Sequence, residues 1–325
     1  MASYPTLKDV SAAAGVSMAL VSVVLNGKKS RIMASPATRE RILKAAAELG
    51  YEPDRNARGL RMSRSFLIGV LAYEINSSFV PEIVTGIEQK LVHSNYNILL
   101  GSYHNEAELS ERLEMFRKRK VDALIIICGA AGSVPELLAG FEAVPKVLVG
   151  TQLDIPNCAC VFSDRRVIGQ LAAQSLYERG HRRTGYLMNY NCDGSGWLDA
   201  WRNFPDADEP VTVECRNFFS EGEAAVRKLL TAHPEITAVF ADSDILAAAA
   251  IKCAVAMGRR VPEDLAVLGT DDSSICQLTT PALSSIRQLK RERGNIAVEM
   301  VLDMLENKKC ENVALPGELI LRESL

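Results

Sequence analysis

The side chains best placed to do chemistry in this 325-residue chain fall into two sets. One is a short run near the N-terminus, Ser17, Met18, Ala19, Ser22, Val23 and Asn26. A 3.6-residue period collects all but Ser17, which precedes the helix as its cap, on one helical face, away from Val21, Val24 and Leu25. Such a face on the second helix of a helix pair is the one a DNA major groove would meet. The other set is a series of carboxylates, Asp164, Asp242, Asp244, Asp271 and Asp272, each following a short apolar run. Carboxylates at strand ends can serve as acids, bases or metal ligands, and equally as helix caps or as acceptors for hydroxylated ligands. No catalytic motif accompanies them: there is no GxGxxG or GxxxxGK[ST], and DGSGW around Ser195 fails the GxSxG elbow. The eight cysteines form no CxxC and the four histidines no HxxxH, so reduced thiols, no metal and no cofactor are expected. Catalysis is not expected either.

The first set needs a scaffold, and the flanking residues supply one. Thr6, with Asp9 three residues on, can cap a helix that Gly15 breaks, and Ser17 can cap the next. Two capped helices about a tight turn make a helix-turn-helix. Ser35 and Pro36 open a third helix running through Leu49, which Gly50 closes. Residues 52–65, EPDRNARGLRMSRS, are rich in arginine and too poor in apolar residues to bury themselves. Residues 1–65 carry 11 Lys+Arg against 5 Asp+Glu, whereas the remainder carries 26 against 35. The net charge of −3 therefore conceals a basic head on an acidic body, as expected when only the head meets phosphates.

The second set sits in a different texture. FLIGVLAY, YNILLGSY, ALIIIC and KVLVG are short apolar runs separated by helical stretches such as PEIVTGIEQKLVHS, and the pattern restarts after residue 158 with ACVF, TGYLM, VTVEC, AVFAD and LAVLG. Alternation of this kind predicts parallel sheets covered on both faces, here in two doubly wound lobes. The tail predicts a strand over 284–287, a helix over 291–306 and a last strand over 317–322. With 48% apolar and 24% charged residues the chain reads as a globular protein of two or three domains. It has no apolar run of about 20 residues and no signal-peptide pattern at MASYPTLKD, so a cytoplasmic protein without a membrane segment is expected.

The words TLKDVSAAAGVS, VSVVLNG, TRERILKAAAELGYEP, NARGLR and, at the end, ELILRES resemble the LacI–GalR family of bacterial transcription regulators over essentially the full length. The resemblance implies an all-α head over residues 1–52, a hinge helix or linker over 53–65, and a two-lobed α/β body of the type I periplasmic-binding-protein kind over 66–325. Lobe 1 is expected at about 66–161 and 289–308, and lobe 2 at about 162–288 and 309–325. It further implies a homodimer on near-palindromic operator DNA, with the contact through the 79–94 and 108–119 helices, and a small molecule in the cleft that alters the grip. A repressor of a sugar or nucleoside operon is the expected function. A solute-binding protein with the same body is the rival, against which the basic head and missing signal peptide speak.

Residue by residue, the family pattern places Met18, Ala19 and Val23 at base edges and Ser17, Ser22, Asn26 and Tyr51 at phosphates. Thr6, Asn56, Ala57 and Arg61 join the expected DNA contacts, and Leu60 matches the leucine that the family's hinge helix wedges between base pairs in the minor groove. Gly59 would weaken that helix. In the cleft, Ser77 and Phe79 match the loop after the first strand, although the family's Asn and Pro are lost. Asp164, Ser243, Asp271 and Gln288 match polar contacts, Phe219 or Phe218 an aromatic wall, and Trp197 an aromatic after Gly196. Where the family commonly carries an arginine, three residues before Gly196, this chain has Asp193, either in the cleft or facing solvent. In the cleft, Asp193, Asp164 and Asp271 together would favour a neutral sugar or nucleoside, or a cationic amino compound, over anions.

Overall fold

The protein is described from a computed structural model, which places residues 5–25, 34–51, 64–75, 79–128, 134–190 and 194–325. The chain divides into two compact units, Met1–Ser65 and Phe66–Leu325. In the first, α1 (Leu7–Ala14), α2 (Met18–Leu25) and α3 (Pro36–Leu49) pack around Val10, Ala14, Val21, Val24, Ile42, Ala45 and Ala46. Local chemistry sets the boundaries of α1 and α3. The Asp9 carboxylate accepts from the Thr6 backbone N–H at 2.8 Å and the Thr6 hydroxyl at 2.7 Å. Gly15 then takes φ 62°, a left-handed conformation that a Cβ would oppose, and the α1 and α2 axes turn by 106°. Ser35 Oγ accepts from Thr38 N with Pro36 at the first helical position, and Gly50 ends α3, as the sequence predicts.

The second unit is two α/β lobes. Their strands are β1 (Leu67–Tyr73), β2 (Asn97–Tyr103), β3 (Ala123–Ile127), β4 (Lys146–Val149), β5 (Cys158–Ser163), β6 (Thr184–Asn189), β7 (Val211–Cys215), β8 (Ala238–Ala241), β9 (Ala266–Asp271), β10 (Ser284–Gln288), β11 (Val313–Leu315) and β12 (Gly317–Ile320). One six-stranded sheet runs β11-β5-β4-β3-β1-β2 and the other β12-β10-β9-β8-β6-β7. All pairings are parallel except β10 with β12. The interleaved helices are α4 (Val80–Leu91), α5 (Glu106–Arg119), α6 (Val134–Leu137), α7 (Arg165–Glu178), α8 (Ser195–Arg202), α9 (Phe219–Ala232), α10 (Asp244–Ala256), α11 (Ile275–Leu278) and α12 (Lys290–Leu305). β1, β3 and β4 are buried along nearly their whole length, which is why they read as continuous apolar runs.

The chain passes between lobes three times, after β5, after β10 and after β11. These crossings are tied together: Asp164 N donates to Leu315 O at 2.8 Å, and Ser163 Oγ to Gln288 Oε1 at 2.8 Å. One boundary differs from expectation. Residues 309–325 do not all join lobe 2, because Val313–Leu315 extends the lobe 1 sheet beside β5 before Gly317–Ile320 joins the other. Three residues carry too little pattern to show which sheet edge they complete. Helix α12 lies against α4 through glycines: a Cβ on Gly294 would stand 2.2 Å from Ile83 O. Among the described residues no single helix is long and apolar enough to cross a membrane.

Candidate functional site

In the head, α2 buries Val21 and Val24 and turns Met18 and Ala19 to solvent, with Ser22 and Val23 half-buried beside them. Ser17 is exposed and its hydroxyl accepts from Leu20 N at 3.3 Å. The face collected by periodicity is therefore the face left uncovered within this unit, with Met18 51% exposed at its centre.

In the body, the C-terminal ends of both sheets converge where the strand order reverses, which is where open α/β sheets offer a crevice to ligands. Gln288, at the end of β10, is the centre of this region. Its amide nitrogen donates to Asp271 Oδ1 at 2.8 Å, while its oxygen accepts from Ser163 in the other lobe and from Arg293 Nη2 at 3.2 Å. Asp271 is 6% exposed and takes φ 117° at the end of β9. Burial pushes its carboxyl up to about 7, with Asp244 adding to the effect and Lys290, Arg293 and Arg165 opposing it. Arg293, 1% exposed, holds its guanidinium 4.5 Å over the Phe79 ring.

Beneath this network lies a small pocket of lobe 2, of about 30 Å³ and bordered by Arg165, Tyr186, Trp197, Phe240, Asp242, Thr270 and Gln288. That volume holds about two water molecules. Tyr186 stacks on Phe240 at 5.5 Å, and Trp197 lies 4.8 Å from Phe240 and 5.1 Å from Trp201. Asp242 accepts from the Tyr186 hydroxyl at 2.7 Å and from Asn189 N at 2.9 Å. The Trp197 indole N–H is buried without an acceptor, so the aromatic wall carries one unspent donor.

A basic head with an exposed helix-turn-helix face, joined to a body with a crevice between two parallel-sheet lobes, agrees with the comparisons. Residues 6–54 match the model for bacterial regulatory proteins of the lacI family, and residues 173–325 that for a periplasmic binding protein-like domain. The ribose operon repressor of Haemophilus influenzae is 30% identical over 98% of both chains. The repressor PurR of Pectobacterium carotovorum is 33% identical over 94% of this chain and 91% of its own. The chain belongs to the lacI family. It is a ligand-responsive, DNA-binding transcription regulator. Among solved structures, the regulator CelR in complex with cellobiose superposes with a TM-score of 0.72 at 31% identity, covering 98% and 99% of the two chains. The Lac repressor dimer bound to operator superposes at 0.85 with 23% identity over 99% of both, a likeness of fold.

The lacI-type body brings Gln288, Asp271, Phe79 and Trp197 into or against the crevice, and commits other expected ligand residues elsewhere. Asp164 caps α7, accepting from Arg166 N and Val167 N. Ser243 caps α10 and donates to Asn217. Asp244 is buried and accepts from Ser285 Oγ and Ser273 N, and Asp272 binds Arg287 and Arg322. Phe219 lies under the Lys252 ammonium and Phe218 beside Arg216, both away from the aromatic cavity. The wall there is instead Tyr186, Trp197 and Phe240. Asn26, Asn56, Ala57, Gly59, Leu60, Arg61, Ser77 and Asp193 lie outside the described residues. Tyr186, Phe240 and Arg293 escaped the sequence reading. Arg293 had a signal: it falls four residues before Ala297 and eight before Val301, on the buried stripe of α12.

Proposed function

We propose that this chain is a repressor that binds near-palindromic operator DNA as a homodimer and changes its grip when a sugar or nucleoside enters the interlobe crevice. The observation that carries the proposal is the face of exposed Met18 and Ala19, with half-buried Ser22 and Val23 beside them, on a basic head. These side chains offer methyl groups to thymine and no bidentate fork to guanine, so shape and thymine contacts dominate the sequence preference. Ser17, Thr6 and Tyr51 serve phosphates, and residues 55–60 act as a hinge in the minor groove. Relatives support the effector class: one is named a ribose operon repressor, and the CelR structure holds cellobiose. A binding role without catalysis accords with the strand-end carboxylates, since Asp164, Asp242, Asp244 and Asp272 are each engaged in a cap, a hydrogen bond or an ion pair.

Selection of bound sequences from a random DNA pool tests the proposal, followed by anisotropy titration of the winning sequence with and without sugars and nucleosides. A two-fold symmetric site bound at least about 1,000-fold more tightly than scrambled DNA is expected. Equal retention of all sequences would refute it.

A further inference from the structure

Arg293 is placed as no fold requirement demands. Its guanidinium stands where the strand ends of both lobes meet, stacked on Phe79, whose ring lies against Gly150 after β4, and bonded once, at 3.2 Å, to Gln288 after β10. A guanidinium has five donors and stays charged at neutral pH. Here Nε–H has no acceptor, and among the described residues no carboxylate lies within 4.0 Å of the group. Of the two neighbouring acids on α4 and β9, Glu82 pairs with Lys290 at 3.3 Å and Asp271 accepts from the Gln288 amide. A buried cation so poorly matched is costly unless a counter-charge arrives from outside the chain.

We propose that Arg293 recognises the effector's own negative charge, so that the ligand is a small hydroxylated molecule bearing one carboxylate, of the sugar-acid class. This inference rests on the reading of the interlobe crevice as the effector site. A carboxylate matches the remaining edge of the guanidinium side-on, with two parallel N–H···O bonds. A phosphate would bring a second charge, which Asp242, bordering the pocket, opposes. The space of about 30 Å³ is smaller than a sugar, and parting the lobes would separate Phe79 from Gln288 and open the guanidinium between them. The acids that pointed to a neutral ligand weigh less here. Asp164 is spent on capping α7, Asp193 lies outside the described residues, and Arg293 adds a cation that the sequence did not reveal.

The experiment is calorimetry and thermal shift on the full chain with D-gluconate and D-galacturonate against D-glucose, D-ribose, adenosine and D-glucose 6-phosphate. At least one of the two acids should bind, about tenfold or more tighter than any neutral compound. Arg293→Gln should lose that preference while its ligand-free melting temperature stays level or rises, since a poorly matched buried charge is gone; Arg293→Lys should keep part of it. Binding of neutral or phosphorylated compounds only, binding of none, or an undiminished acid response in Arg293→Gln would overturn the proposal. Operator binding without ligand is measured in parallel. Its loss in the unmodified protein would count against the repressor, and its retention beside a neutral ligand would refute only the acidic effector.

Discussion

Asp271→Asn should flatten the pH dependence of the body's stability. The carboxyl titrates near 3.8 when unfolded and at about 7 in the folded protein, burial being the first cause. Between these values the folded state holds a proton that the unfolded chain has released, so stability falls as pH rises from about 4 to about 7 and levels off above. A displacement of that size corresponds to about 4 kcal/mol at full effect. Lys290, Arg293 and Arg165 face the group as cations and Asp244 as a further acid, and their mutual adjustment lowers the realised figure to about 2–4 kcal/mol. Asparagine keeps an oxygen for the Gln288 amide, tolerates positive φ better than most residues, and has no proton to lose. Urea unfolding of both proteins at pH 5 and pH 8 is the assay. The variant should gain about 1–3 kcal/mol relative to the parent on going from pH 5 to pH 8, or about 3–9 °C in melting temperature for a unit of this size. Parallel pH curves for the two proteins would refute the assignment of a buried, proton-holding carboxyl.

Gly294→Ala should destabilise lobe 1 by about 1–3 kcal/mol in urea melts, since its Cβ meets the Ile83 carbonyl of α4 and backbone yields less readily than a side chain. Val23→Ala should weaken operator binding by about 1 kcal/mol while leaving scrambled DNA unaffected, as read by competition titration; an equal loss on both would remove Val23 from the base-reading set. Gly59→Ala should tighten operator binding and blunt the ligand response by favouring the hinge helix by about 0.5–1 kcal/mol, and unchanged affinity would argue for a plain linker. Sedimentation at micromolar concentration should give a dimer, and a monomer that still binds operator tightly would contradict the proposed assembly.

The sequence alone determined the head almost to the residue, because Asp9, Gly15, Ser17, Ser35, Pro36 and Gly50 act on helix ends through neighbours a few positions away. It likewise showed the two lobes, since strands buried on both faces must be apolar throughout. Helix ends in the body shifted by one to three residues, as for α12, which begins at Lys290 rather than 291, and α4, which ends at Leu91 rather than 94. Other features lay in no local pattern. Whether a strand-end acid caps a helix, as Asp164 does, or binds an amide, as Asp271 does, depends on what the opposite crossing brings alongside. The bond between Ser163 and Gln288 spans 125 positions, and the meeting of Arg293 with Phe79 joins the start of α12 to the start of α4. Helix caps and period-driven burial are decided within a few residues of chain. The charge balance of the crevice, and the aromatic wall of Tyr186, Trp197 and Phe240 beneath it, are decided only when the two sheets close their strand ends on each other, because burial and partner choice are properties of packing.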